Sequence, residues 1–318
     1  MRQRNTDPAR LLDAARAGDR AALARLLSLV ERGGEGARQV GRLAYPLGGR
    51  AYTVGITGSP GAGKSTLTSS IIGHLRSRDE EVAVLAIDPS SPFTGGAILG
   101  DRVRMQDHAT DPGVFIRSMA TRGHLGGLAL AAPEAIRLLD AAGRETIIVE
   151  TVGVGQVEVE IAAKADTTVV VVNPGWGDAV QANKAGLMEV ADVFVINKAD
   201  RPGVDQTRRD LELMLDLSEL GGWRPPIIPT VGSSGAGVPG LWQVVQDHRR
   251  NAEKTGVLEA RRQRRLRDEL RAIVISRLDA RARELCGGDR YDALEGDVLE
   301  RRVDPWSAAD ELLQGLGG

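Results

Sequence analysis

The stretch VGITGSPGAGKST, residues 54–66, constrains the fold of this chain more than any other part of its sequence. Gly58, Gly63, Lys64 and Ser65 occupy the fixed positions of the pattern G-x-x-x-x-G-K-[ST]. Glycines let the backbone curl so that successive N–H groups point at one anion, and the lysine adds a positive charge close to it. The stretch therefore predicts a loop that binds phosphate groups.

The surroundings of this loop favour the same interpretation. A strand-like run, 52–57, precedes it, and a run with helical character, 65–78, follows it. The N-terminus of such a helix carries partial positive charge that attracts the same anion. We expect Lys64 to spread the charge of the outer phosphates in catalysis, and the Ser65 hydroxyl to bind Mg²⁺. The phosphates should contact the whole loop: Gly58, Ser59, Pro60, Gly61, Ala62, Gly63, Lys64, Ser65 and Thr66.

Short apolar runs recur along the chain after residue 50, and helical stretches separate most of them. The runs are 52–57, 82–87, 114–116, 147–149, 169–172, 193–196 and 227–228. Strands that are apolar throughout and alternate with helices are typical of a parallel sheet with helices on both faces. The sequence therefore predicts an α/β fold of the P-loop NTPase kind with a mostly parallel central sheet. In such sheets the ligand lies beyond the carboxyl ends of the strands.

The pattern divides the chain into three segments. Residues 1–48 are predicted to form a helical extension, in which Asp7 and Asp19 precede helices as N-caps. This extension is too short for a core of its own, so we expect it to pack on the main domain. Residues 49–250 form the predicted P-loop domain, and residues 251–318 form a helical arm.

Within 241–284 the sequence is predicted to be helical throughout. An apolar stripe at helical spacing favours contact between two copies of the chain, and so a homodimer. The stripe consists of Leu266, Leu270, Ile273, Val274 and Leu278, and the other faces carry Arg261, Arg262, Arg264, Arg265, Arg267 and Arg271. A basic surface for nucleic acid is one interpretation of these arginines. Because acidic residues interleave with them, a solvated face with i,i+4 ion pairs is favoured.

The overall composition narrows the class of protein. The charges of the 41 basic and 43 acidic residues of the 318-residue chain nearly cancel, so the net charge does not predict a nucleic-acid partner. The single cysteine, Cys286, excludes an intrachain disulfide and is typical of a reduced setting. No apolar run approaches the ~18 residues that a membrane span needs. The first ten residues lack the apolar stretch of a signal peptide, so we expect a cytoplasmic location without membrane association.

Acidic side chains directly follow two of the predicted strands. Asp88 comes after the run 82–87, and Glu150 ends the run 147–149. Carboxylate oxygens at such positions suit Mg²⁺, so both residues join Ser65 as predicted metal ligands. Glu150 also opens the pattern E-x-x-G, whose final glycine is placed to contact the γ-phosphate and to sense hydrolysis.

A second nucleotide motif, N-K-x-D, follows the run 193–196 and consists of residues 197–200. The Asp200 carboxylate can accept hydrogen bonds from N1–H and the exocyclic amine of guanine. Adenine offers no such pair, and a buried unpaired carboxylate is costly. The motif therefore predicts selection of GTP over ATP, with the stem of Lys198 along the base and Asn197 tying its loop to the neighbouring loops.

A third stretch, PTVGSSGAG, follows the last apolar run. In GTPases the corresponding loop offers a backbone N–H to the guanine O6. Val231, Gly232 and Ser233 are the candidate residues for this contact, and an ordinary turn rich in glycine and serine is the alternative.

Several long stretches of the sequence resemble the MeaB/ArgK GTPases, the G-protein chaperones of cobalamin-dependent methylmalonyl-CoA mutase. The resemblance covers nearly the whole chain and rests on GSPGAGKST, AIDPSSPFTGGAILGDRVRM, FIRSMATRGHLGG, ETVGVGQ, NPGWGDAVQANKAGLMEVADVFVINKAD and the helical extensions at both ends. It implies a homodimeric GTPase that binds GTP, GDP and Mg²⁺, gates cofactor loading, and protects or rescues a cobalamin-dependent acyl-CoA mutase. The adenosyltransferase of that mutase is a further candidate partner.

The resemblance also implies roles for individual residues. Lys64, Asp88, Asp101 and Glu150 match the family's phosphate-loop lysine, its two switch aspartates and its E-x-x-G glutamate, which serve nucleotide and Mg²⁺. Asp101 and Glu150 thereby join Lys64 as predicted catalytic residues. A plain helix N-cap is the alternative role for Asp101.

A mobile loop that relays the partner's presence in this family matches residues 173–184 here. Its polar members are Asp178, Gln181 and Lys184, and a helix start capped by Asp178 is the alternative. Two positions depart from the family's pattern. Trp176 stands where glycine is usual in this loop, and Gly232 stands where the base loop usually reads Ser-Ala.

Three other functions are open from the sequence. A kinase of an arginine/ornithine transport system would need a substrate pocket and a base that no motif here supplies. A GTPase for nickel or cobalt delivery would need clustered cysteine and histidine, whereas Cys286 is alone and His74, His108, His124 and His248 are scattered. A binding module without hydrolysis is disfavoured because every nucleotide motif is intact.

Overall fold

The computed structural model describes residues 7–88, 108–120, 125–151, 160, 163–175, 189–217 and 222–314. Within these ranges seven strands form one sheet in which every neighbouring pair is parallel. The strands are β1 Tyr52–Gly58, β2 Val82–Asp88, β3 Val114–Ala120, β4 Thr146–Thr151, β5 Thr167–Val172, β6 Val193–Asn197 and β7 Ile227–Thr230. Their order is β3-β2-β4-β1-β5-β6-β7. The predicted α/β fold is confirmed, and each apolar run corresponds to one strand.

Ten helices accompany the sheet in the described part of the chain. They are α1 Pro8–Arg16, α2 Arg20–Arg32, α3 Gly34–Ala44, α4 Lys64–Arg76, α5 Leu125–Ala141, α6 Val204–Asp216, α7 Val238–Lys254, α8 Val257–Leu285, α9 Asp289–Leu299 and α10 Pro305–Leu313. The first two have the predicted N-caps. Asp7 accepts the N–H of Ala9 at 3.1 Å, and Asp19 accepts the N–H of Ala21 at 2.8 Å.

Helices cover both faces of the sheet, which explains why its strands are apolar on both sides. On one face, side chains of α1, α2, α3 and α5 share a buried cluster with β2, β3 and β4; Leu12, Leu23 and Leu138 belong to it. On the other face, Leu67 of α4 and Val245 of α7 lie in a second buried cluster with strands of the sheet. The N-terminal helices therefore contribute to the core of the sheet domain.

The chain divides into two compact units, residues 1–265 and 266–318. The first contains the sheet, and the second contains most of α8 with α9 and α10. The prediction that 241–284 is helical throughout is wrong at two residues, because Thr255 and Gly256 separate α7 from α8. Gly256 has φ +73°, a backbone conformation that glycine adopts readily and that ends helices. No helix among the described residues is long and apolar enough to cross a membrane.

Three arginines at the start of α8 pair with two buried aspartates, and we call these five residues the arginine clamp. Arg262 and Arg265 donate to the carboxylate of Asp166, the former at 2.8 Å, and Asp166 is 1% exposed. Arg261 donates to the two oxygens of Asp192 at 2.9 and 2.8 Å. The interpretation of these side chains as a solvated face is therefore wrong, although the other three arginines of the set are exposed as expected.

The two aspartates directly precede β5 and β6, at the edge of the sheet opposite the carboxyl ends of the strands. Burial by itself raises the pKa of each carboxyl, but hydrogen bonds and nearby positive charges lower it by more. The largest lowering effect at Asp166 is the hydrogen bond from Arg262, and at Asp192 it is the hydrogen bond from His248. The pKa of both carboxyls is therefore lowered. Such a group stabilises the fold fully above its unfolded-state pKa of about 3.9, and this contribution is lost as pH falls through the lower folded-state pKa.

Replacing Asp166 with Asn should lower stability at neutral pH and have less effect in acid. At pH 7 the substitution removes a buried charge that two arginines share, which should cost about 2–4 kcal/mol. In the wild type the contribution of the Asp166 carboxylate starts to fall near the unfolded-state pKa of about 3.9 and is lost below the lower folded-state pKa, so the melting temperatures of the two proteins should converge as pH falls through this range. Thermal denaturation followed by circular dichroism across this pH range measures the difference.

Asp247→Asn is the matched control, because Asp247 forms an ion pair with Arg250 on an exposed helix face. Exposed ion pairs contribute about 0–1 kcal/mol, so this variant should melt close to the wild type at every pH. If the melting temperature of Asp166→Asn differs from that of the wild type by the same amount at all pH values, the arginine clamp does not act through the charge of Asp166.

Candidate nucleotide-binding site

Predicted site residues meet at the edge of the sheet formed by the carboxyl ends of the strands. Gly58 ends β1, Glu150 is the penultimate residue of β4, and Asn197 ends β6. Asp88 ends β2, which pairs with β4, but its side chain lies outside the described residues. Because all strands run in the same direction, residues far apart in the sequence reach the same edge, which is where parallel sheets bind ligands.

The phosphate loop begins at a glycine that the packing of the sheet requires. Gly58 has φ +136° and pairs with Val171 of β5. A Cβ atom at this position would lie 1.9 Å from the carbonyl oxygen of Val171. Gly61 also has a positive φ, +70°, but nothing lies within 4 Å of the corresponding Cβ position. The close approach of β1 to β5 therefore depends on Gly58, whereas no neighbouring atom restricts a side chain at position 61.

Lys64 holds a positive charge against this loop. It is the first residue of α4 and is 8% exposed. Its ammonium group donates to the carbonyl oxygens of Gly58 at 2.8 Å and Ser59 at 3.2 Å. The N-terminus of α4 carries partial positive charge beside it, so the loop, the lysine and the helix all favour an anion.

Ser65 and Glu150 bring two oxygen atoms together next to the loop. The hydroxyl of Ser65 donates to Oε1 of Glu150 at 2.5 Å, and Glu150 is 1% exposed. Mg²⁺ prefers oxygen ligands, and in nucleotide sites it is held by one or two side chains together with substrate phosphates. The residues present therefore fit the ion that the sequence predicts.

The side-chain amide of Asn197 connects the phosphate loop with residues 231–233, which we call the base-recognition loop after their predicted role. Its Nδ2 donates to the carbonyl of Ala62 at 2.7 Å. Its Oδ1 accepts from the hydroxyl of Thr230 at 3.1 Å and from the N–H of Gly232 at 2.9 Å. Asn197 is 2% exposed, so breaking any of these bonds would leave a buried polar atom unsatisfied. The two loops are therefore held in one relative position.

Lys198 and Asp200 lie beyond Asn197 on the same loop. Lys198 has φ +58°, and its ammonium group donates to the carbonyl of Gly61 at 2.6 Å. Its stem therefore spans the gap between the N-K-x-D loop and the phosphate loop. Asp200 is exposed, and its carboxylate is accessible to a ligand from solvent. In the base-recognition loop the carbonyl of Val231 accepts from the N–H of Gly235 at 2.9 Å, which closes a turn around Gly232.

Four predicted site residues lie outside the described part of the chain: Asp101, Asp178, Gln181 and Lys184. Two residues that the sequence patterns did not single out contribute to the described part of the site. Thr230 donates to Asn197, and Ser70 on α4 donates to the carbonyl of Gly232 at 2.5 Å. These contacts join positions 33 and 162 residues apart in the sequence, so no local pattern could have revealed them.

Comparison with known proteins bears directly on this site. The family described as "Methylmalonyl Co-A mutase-associated GTPase MeaB" matches residues 23–286. The chain belongs to the MeaB family. As a MeaB-family protein it is a GTPase, which agrees with the phosphate loop and the N-K-x-D motif at the strand ends.

Individual relatives of this MeaB-family protein agree with the assignment. A protein of Pyrococcus abyssi named as a GTPase is 51% identical over 97% of this chain and 96% of its own. GTPase ArgK of Escherichia coli is 39% identical over 80% of both chains. The mitochondrial methylmalonic aciduria type A homolog of Mus musculus is 34% identical over 83% of this chain and 65% of its own. A crystal structure described as LAO/AO transport system kinase covers 100% of both chains, with 27% identity and a TM-score of 0.73.

Gly58→Ala should disrupt the nucleotide site of this MeaB-family protein much more than Gly61→Ala. Both glycines have positive φ, so alanine at either position carries a backbone penalty of about 1–2 kcal/mol. Only at Gly58 does the added methyl group collide with Val171, which forces β1 and β5 apart. We expect Gly58→Ala to lose GDP binding in calorimetric titration, and Gly61→Ala to retain it. Equal GDP affinities of the two variants would contradict this role of Gly58.

Proposed function

We propose that this protein is a GTP-hydrolysing chaperone that gates cofactor loading of a cobalamin-dependent acyl-CoA mutase of the methylmalonyl-CoA mutase type, and protects or reactivates that enzyme. The observation that carries the proposal is the match of residues 23–286 to a family described as associated with methylmalonyl-CoA mutase. The mouse relative, which is named for methylmalonic aciduria, supports the same partner class. The adenosyltransferase of the mutase is a further proposed partner.

Hydrolysis transfers the γ-phosphoryl group to water, so that the bond from the γ-phosphorus to the β–γ bridging oxygen breaks and GDP, phosphate and a proton are released. Negative charge spreads over the phosphoryl oxygens in the transition state. Lys64 is placed to offer its ammonium group to these oxygens, and the N–H groups of the loop and of the α4 N-terminus stabilise the same charge. Because these groups are held in place beforehand, little reorganisation is needed during the reaction.

Ser65 and Glu150 would hold Mg²⁺, with Asp88 as the third proposed ligand. The ion would supply positive charge that stabilises the phosphate oxygens. The hydrogen bond between Ser65 and Glu150 keeps their two oxygen atoms at one place beside the loop. Asp101 and Glu150 remain proposed catalytic residues, because Asp101 matches a switch aspartate of the family and Glu150 matches its E-x-x-G glutamate.

Guanine selection is proposed to rest on the exposed carboxylate of Asp200 and on the base-recognition loop. Asp200 would accept from the N1–H and the exocyclic amine of guanine, and Lys198 would lie along the base. Asn197 bonds to both the phosphate loop and the base-recognition loop, which supports binding of base and phosphates in one site. This arrangement supports GTP as substrate over ATP.

Coupling to the mutase is proposed to run through the loop 173–184. The described start of this loop contacts the nucleotide site, because Oγ of Ser59 donates to Oδ1 of Asn173 at 3.3 Å. The N–H of Gly175 donates to the hydroxyl of Thr207 on α6 at 3.3 Å. A partner that binds the remainder of the loop, with Asp178, Gln181 and Lys184, would therefore act on the phosphate loop through Asn173. The sequence has no glutamine directly after E-x-x-G, which supports slow hydrolysis without a partner.

The homodimer is proposed to form through the apolar stripe of α8. Leu270 and Leu278 are each 64% exposed, and Val274 is 48% exposed. Large apolar side chains aligned on one helix face are typical of contacts between two helices. The stripe begins at Leu266, directly after Arg265 of the arginine clamp, and shares no residue with the clamp.

The second candidate function is a kinase of a transport system, which the description of the solved structure with a TM-score of 0.73 favours. The proposed guanine selection argues against a kinase, since few kinases use GTP. Nickel or cobalt delivery gains no support within the described ranges, where no three His, Cys, Asp or Glu side chains form a group able to hold a metal ion.

Asp200→Asn should change the base preference of the site. Asparagine replaces one acceptor oxygen by a donor, so the variant should bind GDP about 100-fold more weakly, which corresponds to about 2.7 kcal/mol. Xanthosine diphosphate carries an acceptor where guanine carries its amine, and it should bind the variant better than GDP does. Asp205→Asn, an equivalent change at an exposed position of α6, should leave both affinities unchanged. Calorimetric titrations that find equal affinities for GDP and ADP in the wild type would refute guanine selection.

Lys184→Ala should remove most of the acceleration that a mutase gives while it leaves basal hydrolysis nearly intact. An acceleration of about 100-fold would require about 2.7 kcal/mol of transition-state stabilisation, which a few ordered hydrogen bonds can supply. Phosphate release is measured with and without a cobalamin-dependent mutase. Lys254→Ala, at an exposed lysine near the end of α7, is the matched control and should be stimulated like the wild type. Equal stimulation of both variants would refute the relay role of the loop, and no stimulation of the wild type would refute the mutase as partner.

A further inference from the structure

The peptide group between Gly232 and Ser233 is held from the side of helix α4. The hydroxyl of Ser70, on α4, donates to the carbonyl of Gly232 at 2.5 Å. The N–H of Gly232 donates to Oδ1 of Asn197 at 2.9 Å. Both backbone polar groups of Gly232 are therefore used by side chains from other elements, and its orientation is fixed from two directions.

Steric packing restricts the same residue. Gly232 is buried, and a Cβ atom on it would lie 3.2 Å from the backbone nitrogen of Leu67 and 3.3 Å from its Cα. The backbone of the base-recognition loop thus lies directly on α4, and a glycine at position 232 allows this approach. The departure from Ser-Ala noted in the sequence has a structural consequence, since the loop sits close enough to α4 for Ser70 to reach it.

The orientation of the Gly232 carbonyl determines where the next N–H points. A trans peptide unit is planar, so its C=O and N–H point in opposite directions. Since the carbonyl of Gly232 points at Ser70 on α4, the N–H of Ser233 points away from α4. Ser233 is exposed, and no acceptor within the described residues takes its N–H. This N–H is the donor of the base-recognition loop that is available to a ligand.

We infer that Ser70 is a positioning residue for base specificity, which fixes the Ser233 N–H as the donor to guanine O6. This inference rests on the proposed guanine selection. It adds Ser70, which lies outside the phosphate loop and the N-K-x-D motif, to the residues that determine this selection. Guanine presents an acceptor at position 6, whereas adenine presents an amine there. A fixed N–H donor at this point therefore favours guanine and opposes adenine. Ser70 shares α4 with Lys64 and Ser65, so one helix would orient both ends of the nucleotide.

The test compares three nucleotides on wild type and Ser70→Ala. GDP and inosine diphosphate both carry O6, whereas 2-aminopurine riboside diphosphate lacks it. Loss of the one hydrogen bond that orients the donor should weaken the binding of GDP and of inosine diphosphate about 5- to 10-fold. The affinity for 2-aminopurine riboside diphosphate should stay within about twofold of the wild-type affinity. In turnover, KM for GTP should rise by a similar factor at nearly unchanged kcat. Alanine is a good helix former, so the variant should fold.

Two further variants complete the test. Ser77→Ala removes a hydroxyl from the C-terminal end of the same helix, where it donates to the carbonyl of His74, and should bind all three nucleotides like the wild type. Ser70→Thr keeps the hydroxyl and should restore the preference for nucleotides with O6. Unchanged GDP affinity in Ser70→Ala, or an equal loss for all three nucleotides, would overturn the inference while guanine selection stands. A wild type that does not prefer GDP over ADP would overturn both.

Discussion

One buried amide, that of Asn197, holds the nucleotide-binding parts of this GTPase in a single arrangement. It contacts the phosphate loop at Ala62, the end of β7 at Thr230 and the base-recognition loop at Gly232. Because the amide is buried, separation of these loops would leave polar atoms without water or protein partners, which is unfavourable. The spacing between the phosphate loop and the base-recognition loop is therefore fixed by the protein itself, and such preorganisation would reduce the entropy lost when a nucleotide binds.

The opposite edge of the sheet contains the complementary anchor. Asp166 and Asp192 precede β5 and β6 there, and the arginine clamp attaches the start of α8 to them. The same two strands end near the nucleotide site, β6 at Asn197 and β5 just before Asn173. Each strand thus has a polar anchor at both ends, and the apolar runs Val169–Val172 and Val193–Ile196 lie between these anchors. The carboxyl edge thus carries the polar groups of the proposed nucleotide site, while the amino edge carries the charged pairs Asp166–Arg262 and Asp192–Arg261.

Local patterns were sufficient to predict much of this molecule. The strands were predictable because a strand buried on both faces must be apolar along its whole length, as in the run Val169–Val172. The phosphate loop was predictable because its conformation depends on glycines at fixed spacing, and Gly58 meets that demand at its contact with Val171. Local patterns gave wrong predictions at the start of α8 and at the break between α7 and α8. The arginines at the start of α8 look like a solvated face, and the break at Gly256 interrupts an otherwise helical sequence.

The sequence by itself determined the α/β class, the positions of the strands, the phosphate loop and the residues of the N-K-x-D motif, because each depends on neighbours in the chain. Only the tertiary structure decided which polar side chains are buried and what they contact. Arg262 reaches Asp166 across 96 positions, and Ser70 reaches Gly232 across 162. Burial of a polar group depends on the elements that pack over it, and partners so distant in sequence meet only after the sheet has formed. For that reason no local pattern could have identified Ser70 or the arginine clamp.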